Sequence, residues 1–388
     1  GQGPQRSNYT AIESVEVIDD YTVDFHLNEP DPVLLTKLAG YGAMIVPPEY
    51  LAEHGDEHFN THPVGTGPFK VVEYNPREDV QLEAFAEHWG GAPKLDELTY
   101  RFISEPSTAV AELQAGRVDI VIPPTVPIGM IDTINNHDGI SVVSVASPTV
   151  EAIRFNTQSG ITADERVRKA MIMAVDRQAI IDSILAGEGE MIASFQGAQS
   201  FGNDPDMEPL PYDPQQARKL LDEAGVEQGA TVQIDVRGND ATFGEVAQVV
   251  AAYLQGVGIT ASIQPYETNV LLNDIIPAGR TGEMFQQKWG GWTFDFDNTA
   301  YLMYHTGERW NPYDSDAELD EMLESQRSIT DQEERETLLQ EIAQYTQDRA
   351  LEMPLYSINA LYGVSDRVEN FEPAPDNRIR LTNVDVSE

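Results

Sequence analysis

Between Val232 and Ile263 the chain spells one strand, one helix and one further strand, and few folds accept that order. Val232 to Val236 is an apolar run. A helical stretch follows at about 243–256, Gly258 stops it, and Ile259 to Ile263 forms a second apolar run. This is a βαβ unit, which needs a sheet with helices packed on it. Earlier in the chain the same logic recurs. Strand segments begin at Phe69, and a helix at about 106–115 opens at Pro106-Ser107 and stops at Gly116. Val118 to Ile122 and then Ile140 to Val145 read as strands. Alternation of strands and helices predicts the α/β class.

Other elements fill in around these. Residues 12–28 alternate about Asp19-Asp20, with Val15, Val17, Val23, Phe25 and Leu27 on one pattern, which predicts a β-hairpin. Asp31-Pro32 opens a short apolar helix that ends at Gly40. Ala152 to Phe155 reads as a strand. Val167, Ala170, Met171, Ala174, Ile180, Ile181 and Ile184 keep helical spacing, so one long helix is expected over about 164–186. Asp213-Pro214 starts another helix, which Gly225 ends. Charged helices are expected at about 315–327 and 331–349, and Pro354 to Ile358 is the last clear strand.

Charge removes whole classes of function. The 388 residues hold 24 Lys+Arg against 65 Asp+Glu, a net charge of -41. Nucleic-acid phosphates and anionic membranes would be repelled over most of such a surface, so neither is an expected partner. Of the basic residues 18 are Arg and 6 are Lys. That imbalance suits a halophilic protein, because the Debye length falls to about 3 Å at 1 M salt and the acidic surface stays hydrated while its repulsion is screened. There is no cysteine, which excludes disulfides, thiolate catalysis and Cys-ligated metals. No run reaches 18 apolar residues, and no cationic-then-apolar opening marks a signal peptide within these residues.

Two segments carry possible chemistry. His54-Gly55-Asp56-Glu57-His58 matches the H-x-x-E-H pattern of inverted zinc proteases, with His62 one turn on. Gly55, Pro63 and the polar surroundings favour a solvated surface loop over 51–68, and no metal is expected. The second is Trp289-Gly290-Gly291-Trp292-Thr293-Phe294-Asp295-Phe296-Asp297-Asn298. If extended, it turns Asp295 and Asp297 to one face and Phe294 and Phe296 to the other. Paired carboxylates beside aromatics suit an ammonium ligand, a glycosidic bond or Ca²⁺. Gly65-Thr66-Gly67-Pro68 fits no phosphate-binding motif, and no G-x-S-x-G is present.

The order of motifs resembles one family. Val15-Glu16-Val17-Ile18-Asp19-Asp20-Tyr21-Thr22-Val23 comes first, then Pro63-Val64-Gly65-Thr66-Gly67-Pro68-Phe69 and His88-Trp89-Gly90-Gly91-Ala92-Pro93-Lys94-Leu95-Asp96. Leu113-Gln114-Ala115-Gly116-Arg117-Val118-Asp119, Phe155-Asn156-Thr157, Val167-Arg168-Lys169-Ala170 and Val175-Asp176-Arg177 follow. Tyr212-Asp213-Pro214-Gln215-Gln216-Ala217 and Leu220-Leu221-Asp222-Glu223-Ala224-Gly225 complete the set. Together these resemble the solute-binding proteins of ABC importers, family 5, the dipeptide, oligopeptide and nickel binders.

The resemblance implies a two-lobed, periplasmic-binding-protein-like fold of the class II type, with mixed sheets flanked by helices and a hinged cleft. It implies a first lobe of 1–150 (1–62 as a sub-lobe, 63–150 as its core), a second of 151–352, and a return to the first over 353–388. An extracytoplasmic monomer follows, which binds a small polar ligand, with a short peptide favoured, and delivers it to a membrane permease. No catalysis and no cofactor are expected. Oligosaccharide or a metal chelate is the alternative ligand, and a hydrolase is the rival class. By analogy Asp295 receives a peptide ammonium, with Asp297 second, while Trp292, Trp289, Phe294 and Asn298 line the site. The family's N-terminal text, including a Trp-His-Asp-Gly-like motif, is not found. A lipid-bearing tether is expected in that missing part.

Overall fold

A computed structural model of the protein describes residues 6–387. In chain order it begins with a hairpin of β1 (Ile12–Asp19) and β2 (Thr22–Leu27), then α1 (Leu34–Leu38) and α2 (Pro48–Phe59). Next come β3 (Phe69–Asn75), β4 (Asp79–Ala84), β5 (Glu97–Arg101), α3 (Pro106–Gln114), β6 (Ile120–Val121) and α4 (Ile131–Asn135). The middle of the chain holds β7 (Ile140–Phe155), α5 (Glu165–Met173), α6 (Arg177–Ile184), β8 (Gly189–Met191), α7 (Pro214–Glu223), β9 (Ala230–Arg237), α8 (Ala241–Gly256), β10 (Ile259–Tyr266), the short α9 (Thr268–Val270) and β11 (Met284–Trp289). The last part is α10 (Phe296–Tyr304), α11 (Ala317–Ser325), α12 (Gln332–Asp348), β12 (Glu352–Ser365), β13 (Val368–Glu369) and β14 (Asp385–Val386).

The chain packs as two units. One joins the chain up to Lys37 to Ser147–Ile358; the other joins Leu38–Ala146 to Asn359–Glu388. The described residues before Leu38 thus group with the middle of the chain. Of the three passages between units, the first falls at the end of α1 and the other two fall inside unbroken strands, β7 and β12. The two strands read separately at Ile140 to Val145 and at Ala152 to Phe155 are thus one, and Pro354 to Ile358 is the inner part of a longer strand.

In the first unit the expected βαβ forms. β9 and β10 pair in parallel from Ala230↔Ile259 to Arg237↔Tyr266, and α8 connects them. β9 also pairs in parallel with β11, which runs antiparallel to β7. Val232, Ile234 and Val236, which share one face of β9, are buried. The apolar cluster beside β7 gathers Val150, Ala152, Phe195, Phe296, Met303, Leu319, Leu339 and Ile342. In the second unit β3, β4 and β5 form a small antiparallel sheet. Val110, Leu113, Val121, Ile134 and Leu361 make its core.

Two local expectations change. The helix expected over 164–186 is two, α5 and α6. Asp176 interrupts the apolar stripe and caps α6 by accepting a hydrogen bond from the Ala179 amide at 3.0 Å. The stretch expected as a loop over 51–68 is in part helical. Pro48 stands at the first position of α2, where its missing N–H costs nothing, and Glu49 lies in the first turn. Gly55, at φ 79°, breaks the helix in the middle. None of its residues is buried, so the polar composition is met by exposure.

Candidate functional site

The segment 289–298 is compact. β11 ends at Trp289, and Gly291 takes φ 48° in a turn where a Cβ would lie 3.1 Å from the Pro148 carbonyl oxygen. Phe294 also adopts a left-handed φ of 51°, and its amide donates to the Gly291 carbonyl at 2.8 Å. The Phe201 amide donates to the Phe294 carbonyl at 2.9 Å, and the Phe296 amide to the Phe201 carbonyl at 3.0 Å. Asp295 then caps α10 by accepting from the Asp297 amide at 2.9 Å. The segment is a turn into a helix, so Asp295 and Asp297 do not share the face of a strand.

Both carboxylates are engaged by the chain's own arginines. The two Asp295 oxygens accept from Arg335 Nη1 and Nη2, each at 2.7 Å, and the side chains are 9% and 4% exposed. Asp297 accepts from Arg327 Nε at 2.6 Å and Nη2 at 3.2 Å, and also from Gln326 Nε2. The Arg327 guanidinium lies 3.3 Å from the centre of the Tyr301 ring. A ligand ammonium would have to displace Arg335 to reach Asp295. The expected ammonium acceptor is thus an internal ion pair that ties α10 to α12, and the paired-carboxylate hydrolase loses its free groups in the same way.

The aromatic members divide. Trp289 packs on the apolar cluster beside β7 and meets Trp310 edge to face at 6.3 Å. Its Nε1 is buried without an acceptor, and so is Asn298 Oδ1 without a donor. Trp292 and Phe294 are half-buried. The histidines lie elsewhere, on and just after α2. His54 and His58 rings are 4.8 Å apart, and His58 and His62 stack at 4.4 Å. Tyr50 Oη contacts His58 Nε2 at 3.0 Å. Among the described residues no three such side chains converge to hold a metal ion.

A second polar group lies where the sequence drew no attention. The parallel strands β9 and β11 end at Arg237 and Trp289, and β7 pairs with β11 so that Glu151 faces Lys288. Lys288 Nζ donates to Glu151 Oε1 at 2.9 Å. Gln286 Nε2 donates to Asp240 Oδ2 at 3.0 Å and more weakly to Glu151 Oε2 at 3.4 Å; its Oε1 accepts from the Arg237 amide at 2.9 Å. Asp240 caps α8 through the Phe243 amide at 3.0 Å. Glu151 is 2% exposed, and burial pushes its carboxyl up, which Lys288 opposes. Carboxyl ends of parallel strands are where open α/β sheets receive ligands. The available signal was Gln286-Gln287-Lys288 inside a strand, and Glu151 in an apolar run.

Residues 1–311 match the family described as "Bacterial extracellular solute-binding proteins, family 5 Middle". The chain belongs to this family. Such proteins bind a small-molecule ligand and deliver it to the membrane permease of an ABC importer. Among curated relatives, "Glutathione-binding protein GsiB" of Pectobacterium atrosepticum is 26% identical over 395 residues, which cover 98% of this chain and 75% of the relative. "Heme-binding protein A" of Haemophilus influenzae is 26% identical, covering 94% of this chain and 68% of the relative. The crystal structure of a putative peptide-binding protein AppA from Clostridium difficile superposes with a TM-score of 0.90 at 22% identity, covering 99% of this chain and 81% of that one. HbpA2 from Haemophilus parasuis gives 0.87 at 23%, with 99% and 77% covered. These likenesses establish the mixed α/β fold of two-lobed periplasmic binding proteins. No described helix of this family member is long and apolar enough to cross a membrane.

Proposed function

We propose that this family 5 protein captures a short peptide or a peptide-like conjugate outside the cytoplasm and passes it on without changing it. The observation that carries this reading is the family match over residues 1–311, with glutathione binders among relatives aligned over 98% of the chain. Glutathione is itself a tripeptide. The strand-end group supports it in part, since Arg237 and Lys288 bring positive charge to the carboxyl ends of β9 and β11, where a peptide's carboxylate would be received. Trp292, Phe294 and the edge of Trp289 offer apolar contact, and Asn298 Oδ1 offers an unused acceptor. Asp295 and Asp297 serve by holding this turn in shape through Arg335 and Arg327. Tethering at the outer membrane face, through a lipid-bearing segment outside residues 1–388, is part of the same proposal.

The test is a melting panel in concentrated KCl. Glutathione, di- to hexapeptides, oligosaccharides, haem and nickel–histidine are each added in turn. A ligand at a hundred times its dissociation constant adds about 2.7 kcal/mol, a shift of several degrees. A shift with glutathione or peptides supports the reading. A shift with sugar, haem or the nickel chelate alone would keep the family and discard the peptide.

A further inference from the structure

We infer that His58 and His62, on α2 and the turn after it, chelate a divalent transition-metal ion. The site is separate from peptide capture and does not rest on it. An imidazole binds a metal through the nitrogen that carries no proton, and the bond made by its other nitrogen decides which one that is. A hydroxyl has a single proton to donate. Tyr50 Oη donates its proton to the His62 carbonyl at 3.4 Å, so toward His58 Nε2, at 3.0 Å, it accepts. His58 therefore carries its proton on Nε2 and leaves Nδ1 bare. Thr61 Oγ1 donates to the His58 carbonyl at 3.1 Å, so toward His62 Nδ1, at 2.9 Å, it also accepts. His62 therefore carries its proton on Nδ1 and leaves Nε2 bare. Each imidazole is thus fixed in the tautomer that keeps one lone pair for a metal.

The two rings lie side by side, with centres 4.4 Å apart and planes 3° from parallel. Their spacing in the chain, i and i+4, is the one that sets two histidines on one helix face to hold zinc. Metal–nitrogen bonds of about 2.0–2.1 Å place neighbouring ligand nitrogens about 3 Å apart, so a small inward tilt closes the chelate. Neither ring is buried, and that tilt disturbs no packing. Among the described residues no third imidazole or carboxylate converges with them, so water completes the shell. α2 carries Glu49, Glu53, Asp56 and Glu57 and neither Lys nor Arg, which draws cations to this face. Imidazole donors select Cu²⁺, Ni²⁺ and Zn²⁺, whereas Mg²⁺ and Ca²⁺ take oxygen ligands.

The experiment titrates metal-stripped protein in concentrated KCl with CuCl₂, NiCl₂ and ZnCl₂ by calorimetry, with MgCl₂ as the oxygen-seeking control. His58→Ala and His62→Ala are run beside His137→Ala, an exposed histidine outside the site. All three are first shown to melt as wild type does. Loss of an outer-shell partner already weakens a metal site about ten- to a hundred-fold, so loss of a ligand should cost at least about ten-fold. The inference predicts that Cu²⁺ binds more tightly than Ni²⁺ and Zn²⁺, and that Mg²⁺ binds far more weakly than any of them. His58→Ala and His62→Ala should each lose at least about ten-fold for Ni²⁺, and His137→Ala nothing. In proton NMR, substoichiometric Ni²⁺ should broaden the ring signals of His58 and His62 before that of His137. Should Ni²⁺ bind both variants as it binds wild type, or Mg²⁺ bind as tightly as Ni²⁺, carboxylates hold the ion and the inference falls. It falls equally if wild type binds none of the three transition metals.

Discussion

The pair Arg335–Asp295 gives the sharpest mutational prediction, because a ligand-binding and a structural Asp295 behave in opposite ways. In the structure the two side chains are 4% and 9% exposed, and two 2.7 Å bonds join them. Removing one member leaves the other charge buried without a partner, which costs about 3–5 kcal/mol. For a unit of this size that is a fall in melting temperature of roughly 6–20 °C. Arg335→Leu and Asp295→Asn should each show it, with Asn chosen because it still caps α10. The double variant removes both charges, so it should melt well above the sum of the two losses. Circular dichroism melts of the four proteins read this directly. If Asp295→Asn melts like wild type and loses only its response to peptides, the carboxylate is a ligand receptor and the present reasoning is wrong.

Further expectations concern pH, salt and the histidines. Glu352 is buried, with Oε1 accepting from Tyr304 at 3.0 Å and Oε2 without a partner, and burial pushes its carboxyl up from 4.5 to about 7. Such a group favours the folded state below its unfolded pKa and loses that contribution as pH rises through about 7. Stability should fall by up to about 3 kcal/mol between pH 4.5 and 7, and Glu352→Gln should flatten that slope in urea titrations. The net charge of -41 predicts a lower melting temperature in about 0.1 M than in about 2 M KCl; a melt independent of salt would end the halophile reading. The His58 imidazole is held below its ordinary value by desolvation and by His62 and His54, so proton NMR should show it titrating low, and higher again in His62→Ala.

Much of the architecture could be read along the chain. Val232 to Val236, the helix after it and Ile259 to Ile263 were legible because the signal is local: β9 buries Val232, Ile234 and Val236, and β10 opens on the buried Ile259. The β1–β2 hairpin was legible from alternation alone, even though Val17 and Tyr21 remain 74% and 97% exposed. The failures have physical reasons. Apolar spacing on either side of Asp176 suggested one helix, while Asp176 caps a new one through its bond to the Ala179 amide. α2 lacks an apolar face, so no periodic signal marked it. At Asp295 two patterns competed. Alternation suggested a strand, while an Asp just before Phe296, Ala300, Met303 and Tyr304 is a helix start. The second pattern won because Arg335, forty residues on, buries the carboxylate, and no spacing rule reveals a partner at that distance. The strand-end group was hidden for the same cause. Arg237, Asp240, Glu151, Gln286 and Lys288 come from three strands and a cap.

The central claim is capture without chemistry. Its most direct test is recovery of the ligand. The protein is mixed with the compound that raises its melting temperature most, freed of excess by gel filtration, and denatured, and the released small molecule is weighed by mass spectrometry. The account predicts about one unaltered molecule per chain, retained after filtration and still unaltered after prolonged incubation. Recovery of a cleaved or otherwise modified product, growing with time, would contradict it.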